Sequence, residues 1–357
     1  VVARTGGDEF AAVLMGCTGA GAAAVGERIR DAVRGISVAY ANASISVGWA
    51  LGRAGDDPLA VWRQADEHLY RAKRAGRDRV LGGRAAGEGQ RVTAAEGLRR
   101  VEEVLRTREI TAHYQPIVRL ADGAIVGLEA LARPAWAGPK ESVEELFAAA
   151  QRTGRIRDLD WLCRRVALVG APWPLPADCS VFVNVSALTL MDPVHGVDQM
   201  LLVLRAAGGS AEQVVLEITE HELISELDRL RLVLAAYREH GFRFALDDVG
   251  EGHSTLELLA AANPEFVKIA RSLTAGSIHP PLRWAVQATM AFAEGSGATV
   301  IAEGVEDEET AGHIRDLGIP LAQGWHLGLP QPAASIRPLL RQRGPLRLVD
   351  GRGIHCA

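Results

Sequence analysis

RFALDDVGEGHSTLELLAAANPEFVKIAR, residues 243–271, is the stretch whose reading decides the fold. An apolar run, Phe244 to Leu246, ends in two adjacent acids, Asp247 and Asp248. A Gly-rich loop and a short helical stretch follow, and a second apolar run, Phe266 to Ala270, carries Lys268. The order is strand, loop, helix, strand. Strands buried on both faces read as continuous apolar runs, and a parallel barrel presents its chemistry at the strands' C-terminal ends. The stretch therefore reads as half of an active site.

Outward from it, the same pattern repeats. Candidate strands are Tyr114 to Val118, Ile125 to Arg133, Val181 to Ser186, Val214 to Glu220, Arg243 to Val249, Phe266 to Ala270, Thr299 to Val305 and Leu321 to Leu327. Helical patterns lie between most of them, at 143–152, 158–169, 221–240, 281–295 and 307–316. Strands alternating with helices over a length of this kind predict an α/β fold of the (β/α)8 TIM-like barrel type. The polar residues at or near the strand ends are Glu129, Asn184, Glu217 with Glu220, Asp247 with Asp248, Lys268, Glu303 with Glu306, and Gln323. Each alone reads as a satisfied buried group or a helix cap. Gathered at one barrel mouth, carboxylates repel unless cations neutralise them. Oxygen-rich donor sets select hard divalent ions such as Mg²⁺ or Mn²⁺, and two such ions can serve both oxygens of a phosphoryl displacement.

The chain has 357 residues, 48% of them hydrophobic and 23% charged, which suits a small domain plus a barrel. No apolar run approaches the ~20 residues of a membrane helix. A net charge of −5 gives no footprint for duplex nucleic acid, so DNA is not an expected partner. Four cysteines far apart, Cys17, Cys163, Cys179 and Cys356, fit a reduced, cytoplasmic setting, with any membrane anchor supplied by upstream segments. Of 39 basic residues only Lys73, Lys140 and Lys268 are lysines. A lysine kept inside an apolar strand under that bias points to a need for a compact, pKa-adjustable amine.

At the start, VVARTGGDEFAAVL reads as two short strands around a Gly-Gly-Asp-Glu turn. A helix at about Ala22 to Val33, strands Ser37 to Tyr40 and Ala43 to Leu51, and a helix from about Leu59 to Ala75 follow. These elements do not close a domain alone, so the chain is expected to begin inside one. RTGGDEF at 4–10, SISVGWA at 44–50 and ADEHLYRAKRAGRDRV at 65–80 resemble the C-terminal half of a GGDEF domain, the diguanylate cyclase family. The resemblance implies nucleotide-facing glycines Gly6 and Gly7, a metal-binding Asp8 beside Glu9, phosphate-holding Lys73 and Arg77, and GTP as ligand of an intact domain. Residues 82–92, Gly- and Arg-rich, read as a linker, and a Thr-x-x-Glu capping box at Thr93 opens a connecting helix over 93–109.

GLEALARP at 127–134 contains Glu129-Ala130-Leu131. With YQPIV at 114, NVS at 184, LEITE at 216, LDDVGEGHSTLELL at 246, VKIARS at 267, VIAEGVE at 300 and AQGW at 322, it resembles the EAL family of cyclic di-GMP phosphodiesterases. The resemblance implies hydrolysis of one phosphodiester bond of cyclic di-GMP to give linear pGpG. It implies Glu129, Asn184, Glu217 and Asp247 as ligands of one Mg²⁺ or Mn²⁺, and Asp247 with Asp248 as ligands of a second. Lys268 would position or deprotonate the attacking water, its pKa lowered by nearby cations. Glu303 would be the acid nearest that water, while Gln115 and Arg133 contact substrate and Gln323 and Glu306 support the site. Glu220 would fasten the loop Gly250 to Thr255, which the family couples to homodimerisation. Two departures stand out: Lys268-Ile269-Ala270 lacks the family's acid at 270, and Glu251 replaces a small loop residue. They leave open a cyclic di-GMP receptor without turnover, and the GGDEF segment leaves open a bifunctional parent protein with cyclase activity. The expected organisation is 1–83 a partial GGDEF domain, 84–107 linker and connecting helix, 108–345 the EAL barrel and 346–357 a tail.

Overall fold

The structure, a computed structural model, describes residues 2–6, 9–35, 37–38, 41–42, 44–52, 58–74, 78–84, 94–134, 143–219, 227–250, 255–274 and 280–341. The chain divides into two compact units, Val1–Thr93 and Ala94–Ala357.

The first unit contains β1 (Val2–Gly6), β2 (Glu9–Ala12), α1 (Gly19–Arg34), β3 (Ser37–Val38), β4 (Ala41–Asn42), β5 (Val47–Leu51), α2 (Pro58–Arg74) and β6 (Val80–Arg84). β1 and β2 form the antiparallel hairpin read from the paired glycines, with Gly6 opposite Glu9. β6 corrects the linker expected from Gly82 onward, because it pairs in parallel with β5. Gly82 serves close packing there: a Cβ at this position would fall 2.4 Å from the Trp49 ring.

The second unit opens with α3 (Ala94–Thr107); the capping box expected at Thr93 lies outside the described residues. Then come β7 (Ile110–Arg119), β8 (Ile125–Pro134), α4 (Val143–Arg152), α5 (Ile156–Gly170), β9 (Ser180–Val185), α6 (Ala187–Leu190), α7 (Val197–Ala207), β10 (Val214–Thr219) and α8 (Leu227–Glu239). They are followed by β11 (Arg243–Val249), α9 (Thr255–Ala262), β12 (Phe266–Ile269), α10 (Arg271–Thr274), α11 (Pro280–Ser296), β13 (Thr299–Ala302), α12 (Glu308–Asp316), β14 (Leu321–Ala322), β15 (Gln331–Pro332) and α13 (Ala333–Arg341). β8 to β14 pair in order, all parallel, and β7 closes the barrel between β8 and β14. β7 runs antiparallel to both neighbours, joined to β8 as a hairpin across Gly123, so the expected (β/α)8 barrel has one reversed strand.

Two strands are shorter than their apolar runs. Thr299 to Val305 ends at Ala302 because Gly304, at φ +69°, turns the chain. Leu321 to Leu327 ends at Ala322 because Gly324 packs on the Val305 backbone, and the segments exchange Val305 N→Gln323 O (3.1 Å) and His326 N→Val305 O (3.0 Å). Both turns lie where the chemistry sits.

Strand side chains alternate between two faces. The outward set, including Leu128, Val183, Leu216, Ile218 and Leu246, joins the helices in the main core. The inward set builds a separate plug from Ile117, Phe182, Val215, Ala245, Ile301 and Leu321, with Phe266 packed against it. On β8 the matching inward position is Gly127, where a Cβ would meet Phe182 at 2.7 Å, so the missing side chain makes room for the ring.

Candidate active site at the barrel mouth

Because the strand period is two, the next inward residue on each strand lies two positions beyond the plug. Those residues are Gln115, Glu129, Asn184, Glu217, Asp247, Lys268, Glu303 and Gln323. One layer of the barrel is apolar and the next is polar. The polar layer contains the sequence-predicted site residues from all eight strands or their immediate extensions.

Lys268 is at its centre, with no exposed surface. Its Nζ lies 2.8 Å from Glu303, 2.9 Å from Glu217, 3.1 Å from Asp247 and 3.4 Å from Glu129. Glu129 is held further by Asn184 Nδ2 at 3.1 Å and by the Gln323 carboxamide. Gln323 Nε2 also reaches Gln115 Oε1 at 3.1 Å, and Gln115 Nε2 donates to Gly328 O at 3.0 Å. Asn184 itself is exposed at the mouth.

Adjacent residues on a regular strand point to opposite faces, which would separate Asp247 from Asp248. β11 breaks that rule: its register against β12 shifts between Leu246 and Val249, and Asp248 takes φ +55°. A bulge of this kind re-aims a side chain. One carboxylate oxygen from each of Asp247, Asp248 and Glu303 then lies within 4.8 Å of the others.

The charges are strongly coupled. Burial alone would lower the Lys268 pKa, but Asp247, Glu129, Glu217 and Glu303 overcome it and hold it well above the usual amine value. In the metal-free fold carboxylates are what surround the ammonium, and they favour its charged form. Burial, with Glu129 and Asp247 as like charges, pushes Glu217 well up despite Lys268. Glu303 rises to about 8, with burial the largest cause and Lys268 opposing it. Glu129 is also desolvated, yet Lys268 and the amides of Gln323 and Asn184 keep it below the usual carboxylate value.

A divalent cation fits this donor set. Glu129, Glu217, Asp247, Asp248 and Glu303 set five carboxylates against the single ammonium of Lys268. Glu217 Oε2 is buried and accepts no hydrogen bond among the described residues. Hard oxygen donors in negative excess suit Mg²⁺, Mn²⁺ or Ca²⁺.

Other expected residues fall elsewhere. Arg133 is half-buried at the end of β8 and donates Nη1 to Ala132 O at 2.9 Å. Glu306 is exposed and pairs with Arg271 at 2.7 Å instead of entering the layer around Lys268. Arg271 was not singled out by sequence, since its partner is 35 residues away. Ala270 is buried, and its N–H reaches Val249 O at 3.2 Å, tying the end of β12 to β11. Glu220, Glu251 and His253 lie outside the described residues, as do Gly7, Asp8 and Arg77. Gly6 and Glu9 belong to the first hairpin, and Lys73 is exposed on α2.

Comparison with known proteins agrees with this geometry. The EAL domain family matches residues 98–330, and the diguanylate cyclase, GGDEF domain family matches 1–79. The chain is 29% identical over 355 residues to the bifunctional diguanylate cyclase/cyclic di-GMP phosphodiesterase MucR of Pseudomonas aeruginosa, covering 94% of this chain and 50% of that protein. It is 32% identical over 260 residues to the cyclic di-GMP phosphodiesterase NbdA of the same organism, covering 70% and 33%. The MucR phosphodiesterase in complex with cyclic di-GMP superposes with a TM-score of 0.60 at 27% identity, over 68% of this chain and 99% of that one. Klebsiella pneumoniae BlrP1 with calcium and cyclic di-GMP gives 0.57 at 31% identity, over 62% and 56%. The chain spans about half the length of the curated relatives it matches. No helix among the described residues is long and apolar enough to cross a membrane. A closed barrel with one reversed strand, a lysine ringed by carboxylates and a family match over most of the chain lead to one assignment: this protein belongs to the EAL domain family, with GGDEF-type sequence ahead of its barrel.

Proposed function

We propose that the barrel hydrolyses one phosphodiester bond of cyclic di-GMP to give linear pGpG, using two Mg²⁺ or Mn²⁺ ions. The observation that carries this reading is the convergence of Glu129, Glu217, Asp247 and Glu303 on Lys268, with Asp248 turned in beside them. MucR and BlrP1, which share the fold, are described as complexes with cyclic di-GMP.

Glu129, Asn184, Glu217 and Asp247 would hold one ion, and Asp247 with Asp248 the second. The chemistry such ions supply when bound is activation of a water and neutralisation of phosphate charge. Lys268, within 3.4 Å of all four carboxylates that ring it, would position or deprotonate that water, and its ammonium form offsets the negative charge of the phosphate. Glu303, 2.8 Å from Lys268 Nζ, is the acid nearest that water and, in its ionised form, takes up the released proton directly or from Lys268. A bond forms between the water oxygen and phosphorus, the P–O3′ bond breaks, and the proton released by the water is handed on to the freed 3′-oxygen, which leaves as a hydroxyl. Gln115 and Arg133 contact the ligand, while Gln323 keeps Glu129 oriented from the second layer.

Incubating the full chain with cyclic di-GMP and Mn²⁺ or Mg²⁺ and separating products by chromatography tests the reading. pGpG should form, and Glu129→Ala should reduce its rate by at least about 10²-fold, as loss of a metal-ordering carboxylate does. Ligand bound but uncleaved with either metal would make the barrel a receptor, and Ala270→Asp would then test whether the missing acid is responsible.

A further inference from the structure

The face that α5 turns toward β9, α6 and α7 should be apolar, since a helix packed on a barrel buries its hydrophobic stripe. Asp160 and Arg164 interrupt it, at 3% and 0% exposure. Arg164 Nε lies 2.8 Å from Asp160 Oδ2. The far side of the guanidinium is walled by Trp161, 5.2 Å from the ring centroid, and by Met200, whose Sδ accepts from Nη1 at 3.5 Å. The other oxygen of Asp160 faces the barrel: Oδ1 accepts the backbone N–H of Ser186 at 3.0 Å.

Ser186 is the first residue after β9 and the N-cap of α6. It lies two residues beyond Asn184, whose carboxamide is exposed at the mouth and is aimed at Glu129. A buried ion pair is seldom more stable than a well-packed apolar replacement, because two charges must be desolvated. Stability is therefore a poor reason for this pair. What it provides is a fixed acceptor at the point where β9 becomes α6.

We propose that Asp160 and Arg164 are positioning residues: the Arg164-clamped carboxylate pins Ser186 and thereby holds Asn184 in register with Glu129. This rests on the metal-dependent reading above for its functional consequence, and on geometry alone for the pinning. Sequence reading had passed over both residues, since an Asp and an Arg four apart on a helix look like a solvated surface pair.

The test uses the full chain and the double variant D160L/R164M, which replaces the pair with apolar side chains of similar bulk. Amide hydrogen exchange over peptides spanning 181–190 should accelerate at least about ten-fold while peptides from β11 and β12 keep their protection. Added Mn²⁺, read by the rise in Tm without substrate, should reach half-effect at about ten-fold higher concentration than in the wild-type chain. In an Asn184→Ala background the same double change should leave the Mn²⁺ midpoint where Asn184→Ala alone puts it, since the pathway is already cut. D160N, which keeps an acceptor oxygen, should restore most of the Ser186 protection. Unchanged exchange at 181–190 overturns the pinning, whatever the metal does. Faster exchange with an unshifted midpoint, or a further shift in the Asn184→Ala background, overturns the link to Asn184. A wild-type chain whose Tm ignores Mn²⁺ counts against the metal site itself and overturns that link with it.

Discussion

Glu217 has no exposed atom and faces Glu129 and Asp247 as like charges, so its ionised form is expensive to keep in the metal-free fold. Replacing it by the neutral isostere should relieve that cost. Glu217→Gln is expected to raise the Tm of chelator-treated protein by a few degrees while lowering cyclic di-GMP hydrolysis by about 10²-fold or more, the trade-off typical of strained active sites. A lower Tm would mean that the contact with Lys268 outweighs the repulsion. Glu303 gives a pH dependence of defined sign. Its pKa in the fold, about 8, exceeds the usual carboxylate value near 4.5, so the folded state keeps a proton that the unfolded chain has released. That contribution is complete below pH 4.5 and lost as pH rises toward 8. Denaturant melts of chelated protein should show stability falling across that window, with Glu303→Gln flattening the slope; a rising profile that the variant leaves unchanged would contradict it.

At the scale of elements, the site depends on three local departures from regularity. The shift in β11 brings Asp248 in beside Asp247, and Gly304 and Gly324 end β13 and β14 so that Glu303 and Gln323 leave the strands at the mouth. A Cβ at Gly324 would fall 2.1 Å from Val305 O, against backbone that cannot swing away. Gly324→Ala should therefore cost about 1–3 kcal/mol by denaturant melts and impair turnover through Gln323, with kcat falling more than KM rises. Wild-type stability and kinetics would show that the turn adjusts freely. These departures explain what sequence could and could not supply. Apolar runs ending in Asp247, Lys268 and Glu303 placed the site residues at strand ends, and β11 matched its expected bounds because nothing in 243–249 competes with the strand. The reversed direction of β7 was not legible, since an apolar run has no polarity. Nor was the two-residue β14, because LAQGWHL continues to look like a strand through the glycine that ends it. The Asp160–Arg164 clamp was hidden for a related reason: spacing along a helix does not reveal which face is buried.

For the whole molecule, division into Val1–Thr93 and Ala94–Ala357 predicts that the second unit has its own core. A fragment comprising residues 94–357 should unfold in a single cooperative transition and hydrolyse cyclic di-GMP within a few-fold of the full chain's rate. Failure to fold, or a loss of hydrolysis without a loss of fold, would show that the barrel needs residues before Ala94. The barrel supplies an apolar plug below, a polar layer above and one buried lysine joining four carboxylates between them. Whether that layer is a metal-dependent phosphodiesterase is tested most directly by reversible metal removal. The 357-residue chain is stripped with chelator, supplied with cyclic di-GMP, and sampled by chromatography before and after Mn²⁺ is returned. No pGpG before addition and steady pGpG after it is the expected result; pGpG formed equally in chelator, or intact cyclic di-GMP after saturation with Mn²⁺ or Mg²⁺, would contradict it.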